Sequence, residues 1–381
     1  MAYPLLLALG ALDAAGYSVI VPVAPAIADA TGAGPATIGL LVASFPAGMM
    51  AGFWFAGRAV ERRGVRRVLA ASLVLVALST LCFALGDSLA VYFPARFFMG
   101  LGSGGLWIGV TFATLERFPG QEYLCMSRIF AAYSIGGLVG PALGAIGGIS
   151  APFLAYLALV LAAIPMVLLA GEPTERRVFV SDRAALRERG FWLAAAGVLF
   201  AVLALGMLEG VLPLHFAERL TQTEIAGLYV GVSLVVATSS AAAGSQRPRS
   251  MVFGAVFLAV AGISIAGAAT ELPLWLLALL LAAVGIGIGN TGSLGILVES
   301  VSVERIVTAM VVWSQVAMLG YLIGPLLGGV VAEGFGFAAI GLVPAAAGLV
   351  VLALFLSAHR ADTGYRDEDS LTASPSRSSP S

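Results

Sequence analysis

Apolar runs recur along the whole chain, and short polar or charged stretches end them. A membrane-spanning helix needs about 20 mostly apolar residues. On that length the pattern predicts twelve spans, at 4–27, 36–56, 68–86, 89–115, 127–148, 151–170, 191–213, 225–244, 251–269, 273–298, 306–331 and 336–358. The first run lacks a basic leader region and is long enough to span, so it is expected to be a span and not a cleaved signal. Residues 359–381 are rich in Ser, Pro and charge and are expected to form a disordered tail. Between the second and third runs, residues 57–67 hold five of the chain's 20 basic residues. This stretch is expected to be a short basic turn, with Gly57 and Gly64 permitting it.

The placement of Arg orients the spans. Even-to-odd connections carry Arg58, Arg62, Arg63, Arg66 and Arg67, then Arg117 and Arg128 at the rims of the next. Arg176, Arg177, Arg183, Arg187 and Arg189 follow in a central linker, and Arg247, Arg249 and Arg305 beyond it. Odd-to-even connections carry Asp29, Asp87, Glu218, Glu224, Glu271 and Glu333, with Arg219 the one basic residue. Positive charge stays cytoplasmic. Both termini and the linker are therefore expected in the cytoplasm, in a multi-pass plasma-membrane protein.

Composition agrees. The chain is 60% hydrophobic and 11% charged, against about 25% for soluble domains. The mean hydropathy is +1.00. Every basic residue is Arg, and the net charge of −1 gives no footing for nucleic acid. Cys82 and Cys125 fall at opposite ends of different spans, so neither a disulfide nor a metal site is expected.

The two halves repeat. A shift of 188 carries Pro25 to Pro213 and Gly39-Leu40 to Gly227-Leu228. A shift of 184 carries Gly136, Gly140, Pro141 and Gly144 to Gly320, Gly324, Pro325 and Gly328. A degenerate basic copy of residues 57–67 lies near Gly244 to Arg249. The expected division is an N-terminal six-helix bundle at 1–170, a cytoplasmic linker at 171–190, a C-terminal bundle at 191–358 and the tail. Parallel six-span repeats are an arrangement of secondary transporters.

Gly57, Glu61, Arg62, Gly64, Arg66 and Arg67 resemble the loop 2–3 signature of the major facilitator superfamily. Arg96 to Gly102 in the fourth run is similar to a second signature. Gly136, Gly140, Pro141 and Gly144 are similar to the antiporter motif of its twelve-span drug–proton antiporter branch, with Ala145 where a second Gly is usual and Ser127 where another Gly is usual. Leu12-Asp13 with Pro22 and Pro25, and residues 206–213, look like the same branch and its vesicular amine relatives. The resemblance implies an all-α membrane protein of twelve helices in two pseudo-symmetric six-helix bundles. It also implies alternating access, with Glu61 in a conformational switch. The plain alternative for residues 57–67 is a loop that only sets topology.

Asp13 lies nine residues beyond Pro4, roughly 13 Å into the bilayer at 1.5 Å per residue. An intramembrane acid is costly and commonly serves a pathway, so Asp13 is the first candidate for proton and substrate coupling. A structural hydrogen bond is the alternative. Arg96 lies inside the fourth span. It is expected to approach or tune Asp13, to bind an anionic group, or to snorkel to the headgroups. Glu209, by the ungapped shift, falls opposite Val21 near the outer mouth, as an entry site or a rim residue. Tyr17, Tyr133, Asn290, Gln315 and Tyr321 are polar groups at membrane depth that line a cavity or join helices. His215 is expected at the solvated outer surface. Glu116 and Glu299, related by a shift of 183, are expected to partner loop arginines. The Gly-Pro segments at 136–144, and at Gly324, Pro325 and Gly328, are expected to pack against the other half as it rocks.

The leading expectation is a proton-coupled exporter of small amphipathic or cationic compounds, a monomer with no cofactor beyond the proton gradient. A sugar or metabolite transporter of the same superfamily is the alternative, and a non-transporting sensor or scaffold a remote one. No nucleophile–base or metal constellation points to an enzyme.

Overall fold

The computed structural model describes residues 1–118, 121–171, 183–243, 248–302 and 305–372. Among them every regular element is a helix. Ten helices are individually long and apolar enough to cross a membrane. Span 1, in two pieces, and span 5, Glu122–Gly144, complete the twelve. The others are span 2 (Pro35–Arg63), span 3 (Val65–Leu85), span 4 (Leu89–Arg117), span 6 (Ser150–Leu169), span 7 (Arg189–Gly210 with Leu212–Phe216) and span 8 (Gln222–Ala242). Span 9 (Pro248–Ala268), span 10 (Leu272–Ser300), span 11 (Ile306–Phe335) and span 12 (Leu342–Thr372) follow.

Two spans are broken where the apolar pattern runs on. Span 1 is Tyr3–Ser18, a turn at 19–23, then Ala24–Thr31. Pro22 has no N–H to give the carbonyl of Ser18, and Pro25 suits the first turn of a new helix. Span 7 breaks after Gly210, and Pro213 sits in the first turn of its second piece. Hydropathy hides both breaks because the turn residues are as apolar as the helices.

The basic stretch at 57–67 is not a turn of that length. Helix continues through Glu61 to Arg63 and restarts at Val65. Gly64 alone makes the corner, at φ 84°, a backbone that a Cβ disfavours. Gly57 is an ordinary helical residue with nothing close to it. Of the central linker, Arg183–Arg187 forms a short 3-10 turn, while Arg176 and Arg177 lie outside the described residues. So do residues 244–247 of the degenerate copy and residues 373–381. Helix continues through 359–372, where a disordered tail was expected.

Each half has its own core. One buried apolar cluster runs from Met1 to Val167, the other from Phe191 to Ala358 with Val21 joining it. Phe130, Met318 and Tyr321 touch both. The open faces of the glycine stripes serve these cores, while the same helices also meet the other half, where Ser233 Oγ of span 8 donates to the Gly137 carbonyl at 3.1 Å. Gly136, Gly140 and Gly144 lie against Ala11, Ser18 and Pro22 of span 1. Gly320 and Gly324 lie against Leu199 and Leu203 of span 7, and Gly328 against Val211 and Met207. Small residues let these backbones approach closely. Pro325 does both jobs, touching Gly206 and Gly210 in its own half and Gly39 in the other.

Successive spans alternate in direction, so the chain's N-terminus and residues 57–67 share one face, the terminal face. The connections at 32–34, 86–88 and 145–149 share the opposite, distal face.

Candidate functional site

Span 4 grips span 1 with one face. Arg96 and Ser103 are seven residues apart, two helical turns, and so point the same way. Ser103 Oγ donates to Asp13 Oδ1 at 2.5 Å. Asp13 is only 2% exposed, and its Oδ2 is buried with no partner among the described residues.

Arg96 is fully buried. Its Nη1 donates to the Gly16 carbonyl at 2.9 Å and its Nη2 to the Tyr17 carbonyl at 2.6 Å. Its guanidinium lies 4.4 Å from the centroid of the Phe45 ring. These carbonyls belong to the last turn before the break in span 1, where the next N–H groups turn elsewhere. A helix C-terminus carries partial negative charge, so a cation there satisfies both the acceptors and the dipole. Arg96 therefore holds the break. It does not form an ion pair with Asp13 among the described residues, and it does not snorkel.

Glu209 occupies the last turn before the break in span 7. It is 7% exposed, which removes it from a solvated rim, and its Oε2 has no partner among the described residues. The break itself is held by Tyr229 of span 8, whose hydroxyl donates to the Leu208 carbonyl. The two broken spans are thus secured alike, by a polar side chain from a neighbouring helix.

Tyrosine rings link the helices of the two acids across the halves. Tyr17 and Tyr321 lie 4.6 Å apart between ring centroids, one from each half. The Tyr17 hydroxyl is buried and unpartnered among the described residues. Tyr133 stands against Trp107 at 5.6 Å. Tyr321 also lies against Gly206 on the helix that carries Glu209. The Tyr17–Tyr321 contact therefore joins the helix of Asp13 to the helix against which span 11 packs, that of Glu209, where the halves meet. Asn290 on span 10 has a buried Oδ1 with no partner among the described residues. Gln315 on span 11 is exposed. Glu61, Arg62 and Arg67 are exposed on the terminal face, Arg66 is partly covered, and Gly64 is buried at the corner.

His215 is not solvated. It is 6% exposed, with Nε2 3.0 Å from the Ala269 carbonyl and Nδ1 3.2 Å from Glu218 Oε1. The Phe337 ring stacks on it at 4.8 Å. The second piece of span 7 turns it under the distal surface.

The chemistry follows from the orphaned oxygens. An ionised carboxylate in a dry interior without a partner is expensive. A proton or a cation is what can satisfy such an oxygen. Sequence reasoning named both acids and the three tyrosines. It missed Ser103 and Tyr229. The spacing of Ser103 from Arg96 on a glycine-rich helix was a readable signal; Tyr229 gave none.

Residues 6–247 and 244–377 match the family model of the Major Facilitator Superfamily. The synaptic vesicular amine transporter of Rattus norvegicus is 26% identical over 322 residues, covering 79% of this chain and 62% of that protein. The chain thus spans under two thirds of the length of that relative. Multidrug resistance protein 2 of Bacillus subtilis is 30% identical over 152 residues, 39% of this chain and 38% of that one. A bacterial homolog of the human lysosomal transporter Spinster, in an inward-facing and occupied conformation, shares the fold with a TM-score of 0.80. It is 15% identical, over 94% of this chain and 96% of that one.

Proposed function

The chain belongs to the Major Facilitator Superfamily, and on that footing we propose that it is a proton-coupled exporter of small amphipathic cations. The observation that carries this reading is the pair of buried acids, Asp13 and Glu209, each with an oxygen left unpartnered among the described residues. They sit at breaks or mid-helix in spans 1 and 7, on opposite sides of the joint, with the Tyr17–Tyr321 ring contact between their halves. A proton and a cationic amine are alternative ways to satisfy the same carboxylate, and exchange of one for the other couples their fluxes. The tyrosine faces supply the apolar and cation–π part of the pocket. Resemblance to amine transporters and to a multidrug resistance protein supports the same substrate class.

In this reading the two bundles rock about the site. The terminal face is cytoplasmic, following the Arg bias, and the exposed Glu61 helix end meets the other half when the distal face opens. The bundles are 1–170 and 191–358, joined by the linker. The protein acts as a monomer.

The test is flux in proteoliposomes under an imposed pH gradient, with a panel of amphipathic cations, neutral sugars and organic anions. The reading expects cation movement against the proton flux, abolished by dissipating the gradient. Uptake of a neutral solute without proton movement would replace it with a metabolite carrier. No flux of any solute would replace it with a sensor or scaffold.

A further inference from the structure

Spans 11 and 2 meet along a ridge of three residues spaced by four. The Pro325 carbonyl lies against Gly39, Gly329 against the Pro35 carbonyl, and Glu333 against Gly34. The ridge ends on the distal face, where Glu333 Oε2 accepts a 2.9 Å hydrogen bond from the Ala36 backbone N–H. Ala36 is in the first turn of span 2, whose N–H groups have no partner within the helix. The carboxylate of one half thus caps the positive end of a helix of the other.

A second contact mirrors it at the opposite kind of helix end. Gln222 Nε2 donates to the carbonyls of Gly144 and Gly148 at 2.9 and 3.0 Å. Thr223 Oγ1 donates to the Ala145 carbonyl at 3.1 Å. Those carbonyls lie at and just beyond the C-terminus of span 5, the negative end of its dipole. Gly147 and Gly148, both at positive φ, turn the chain so that it offers them. A capping box between Thr221 and Glu224 fixes the first turn of span 8 and aims Gln222 and Thr223 across the joint.

We infer that these two contacts form a distal latch, which holds the halves together on that face and must release for the site to open there. In each, C-half side chains complement an N-half helix end, a carboxylate accepting at an N-terminus and neutral N–H and O–H donors serving C-terminal carbonyls. The side chains are solvent-accessible, so release exposes groups that water can satisfy at once. That makes the latch reversible, whereas a buried apolar seal of the same extent would not be. The inference rests on the alternating-access reading above.

The experiment uses the full chain with Cys82→Ala and Cys125→Ala, labelled at Asp87→Cys and Glu271→Cys in distal connections of the two halves. Pulsed electron spin resonance in nanodiscs reads the distance distribution. Glu333→Ala is expected to raise the ratio of distal-open to distal-closed molecules by about two- to fivefold. Gln222→Ala with Thr223→Val is expected to raise it similarly, and the triple variant further. Glu333→Gln, which keeps an acceptor but no charge, is expected to fall between. Parent-like distributions in Glu333→Ala and in the Gln222/Thr223 variant overturn the latch, provided the parent itself shifts with an added amphipathic cation. A parent whose distances never change overturns alternating access, and the latch with it.

Discussion

Ser103 Oγ lies 2.5 Å from Asp13 Oδ1 and leaves Oδ2 without a partner among the described residues. One oxygen of the carboxylate is thus anchored to span 4, while the other is available to a proton or a ligand. Asp13→Asn keeps the shape and can still accept from Ser103, but it can neither bind a proton nor attract a cation. It is expected to fold as the parent does and to lose flux driven by a pH gradient, to background. Gradient-driven transport at the parent's rate by Asp13→Asn would remove Asp13 from the mechanism.

Arg96 is a structural cation by its contacts, since both Nη groups end on span 1 carbonyls. Arg96→Met leaves those buried acceptors unsatisfied, at about 1–3 kcal/mol each. A drop in thermal stability follows, measurable in detergent by tryptophan fluorescence. Arg96→Lys carries the charge but not the fork, and is expected to recover part of the loss. An unchanged melting temperature in Arg96→Met would mean that the break in span 1 holds without it.

In the proposed reading Glu209 and the Tyr17–Tyr321 pair form the cation side of the site. Glu209→Gln is expected to weaken binding of an amphipathic cation by about tenfold or more, the scale of losing a buried charge partner. Tyr321→Leu removes a ring face and is expected to cost about two- to thirtyfold. Tyr17→Phe, which keeps the ring, is expected to cost less than Tyr321→Leu. Equilibrium binding by scintillation proximity separates these effects from transport rate. Equal affinity in the parent and Glu209→Gln would place the cation elsewhere.

Much of this architecture is legible in hydropathy because the bilayer leaves few choices. Backbone polar groups must be satisfied within each span, so twelve apolar runs become twelve helical spans. Asp13 and Glu209 were visible as acids in apolar surroundings for the same reason. What hydropathy cannot carry is the path of an apolar backbone. The turn at 19–23 and the break at Val211 are as apolar as their flanks, so the pattern did not show that Glu209 is buried beside a break. The glycine stripes were visible, but not their direction. A Gly-rich face says that something comes close, and only the packing shows that spans 1 and 7 meet the glycines while spans 8 and 2 meet the other sides of the same helices. His215 shows the opposite error, since a polar residue after an apolar run is folded under by a second helical piece that the pattern did not reveal.

His215 has an acceptor at each ring nitrogen, the Ala269 carbonyl and Glu218 Oε1. Trp275 Nε1 donates to the same carbonyl at 2.8 Å. His215→Phe keeps the stack on Phe337 but abandons both polar contacts. It is expected to destabilise the protein by about 1–3 kcal/mol, read as a lower melting temperature with cation affinity unchanged. Loss of affinity at unchanged stability would instead connect this corner to the site.

Gly39 and Gly57 sit on the same helix and separate two reasons for a glycine. A Cβ on Gly57 meets nothing within 4 Å. Gly57→Ala should therefore stabilise span 2 slightly, by about 0.5–1 kcal/mol from helix propensity, and leave transport intact. A Cβ on Gly39 meets the Pro325 carbonyl oxygen, a backbone atom that cannot rotate away. Gly39→Ala must push spans 2 and 11 apart, at an overpacking cost of about 1–3 kcal/mol that falls only on the distal-closed arrangement. Each half keeps its own core, so the variant should fold, melt near the parent temperature and show longer distal distances between labels at Asp87→Cys and Glu271→Cys. Transport slows because one of the two arrangements is penalised. Gly39→Ala with parent distances and parent flux would show that the close approach of these spans is dispensable, and Gly57→Ala with impaired flux would show that the terminal end of span 2 needs a flexibility its helical backbone does not reveal.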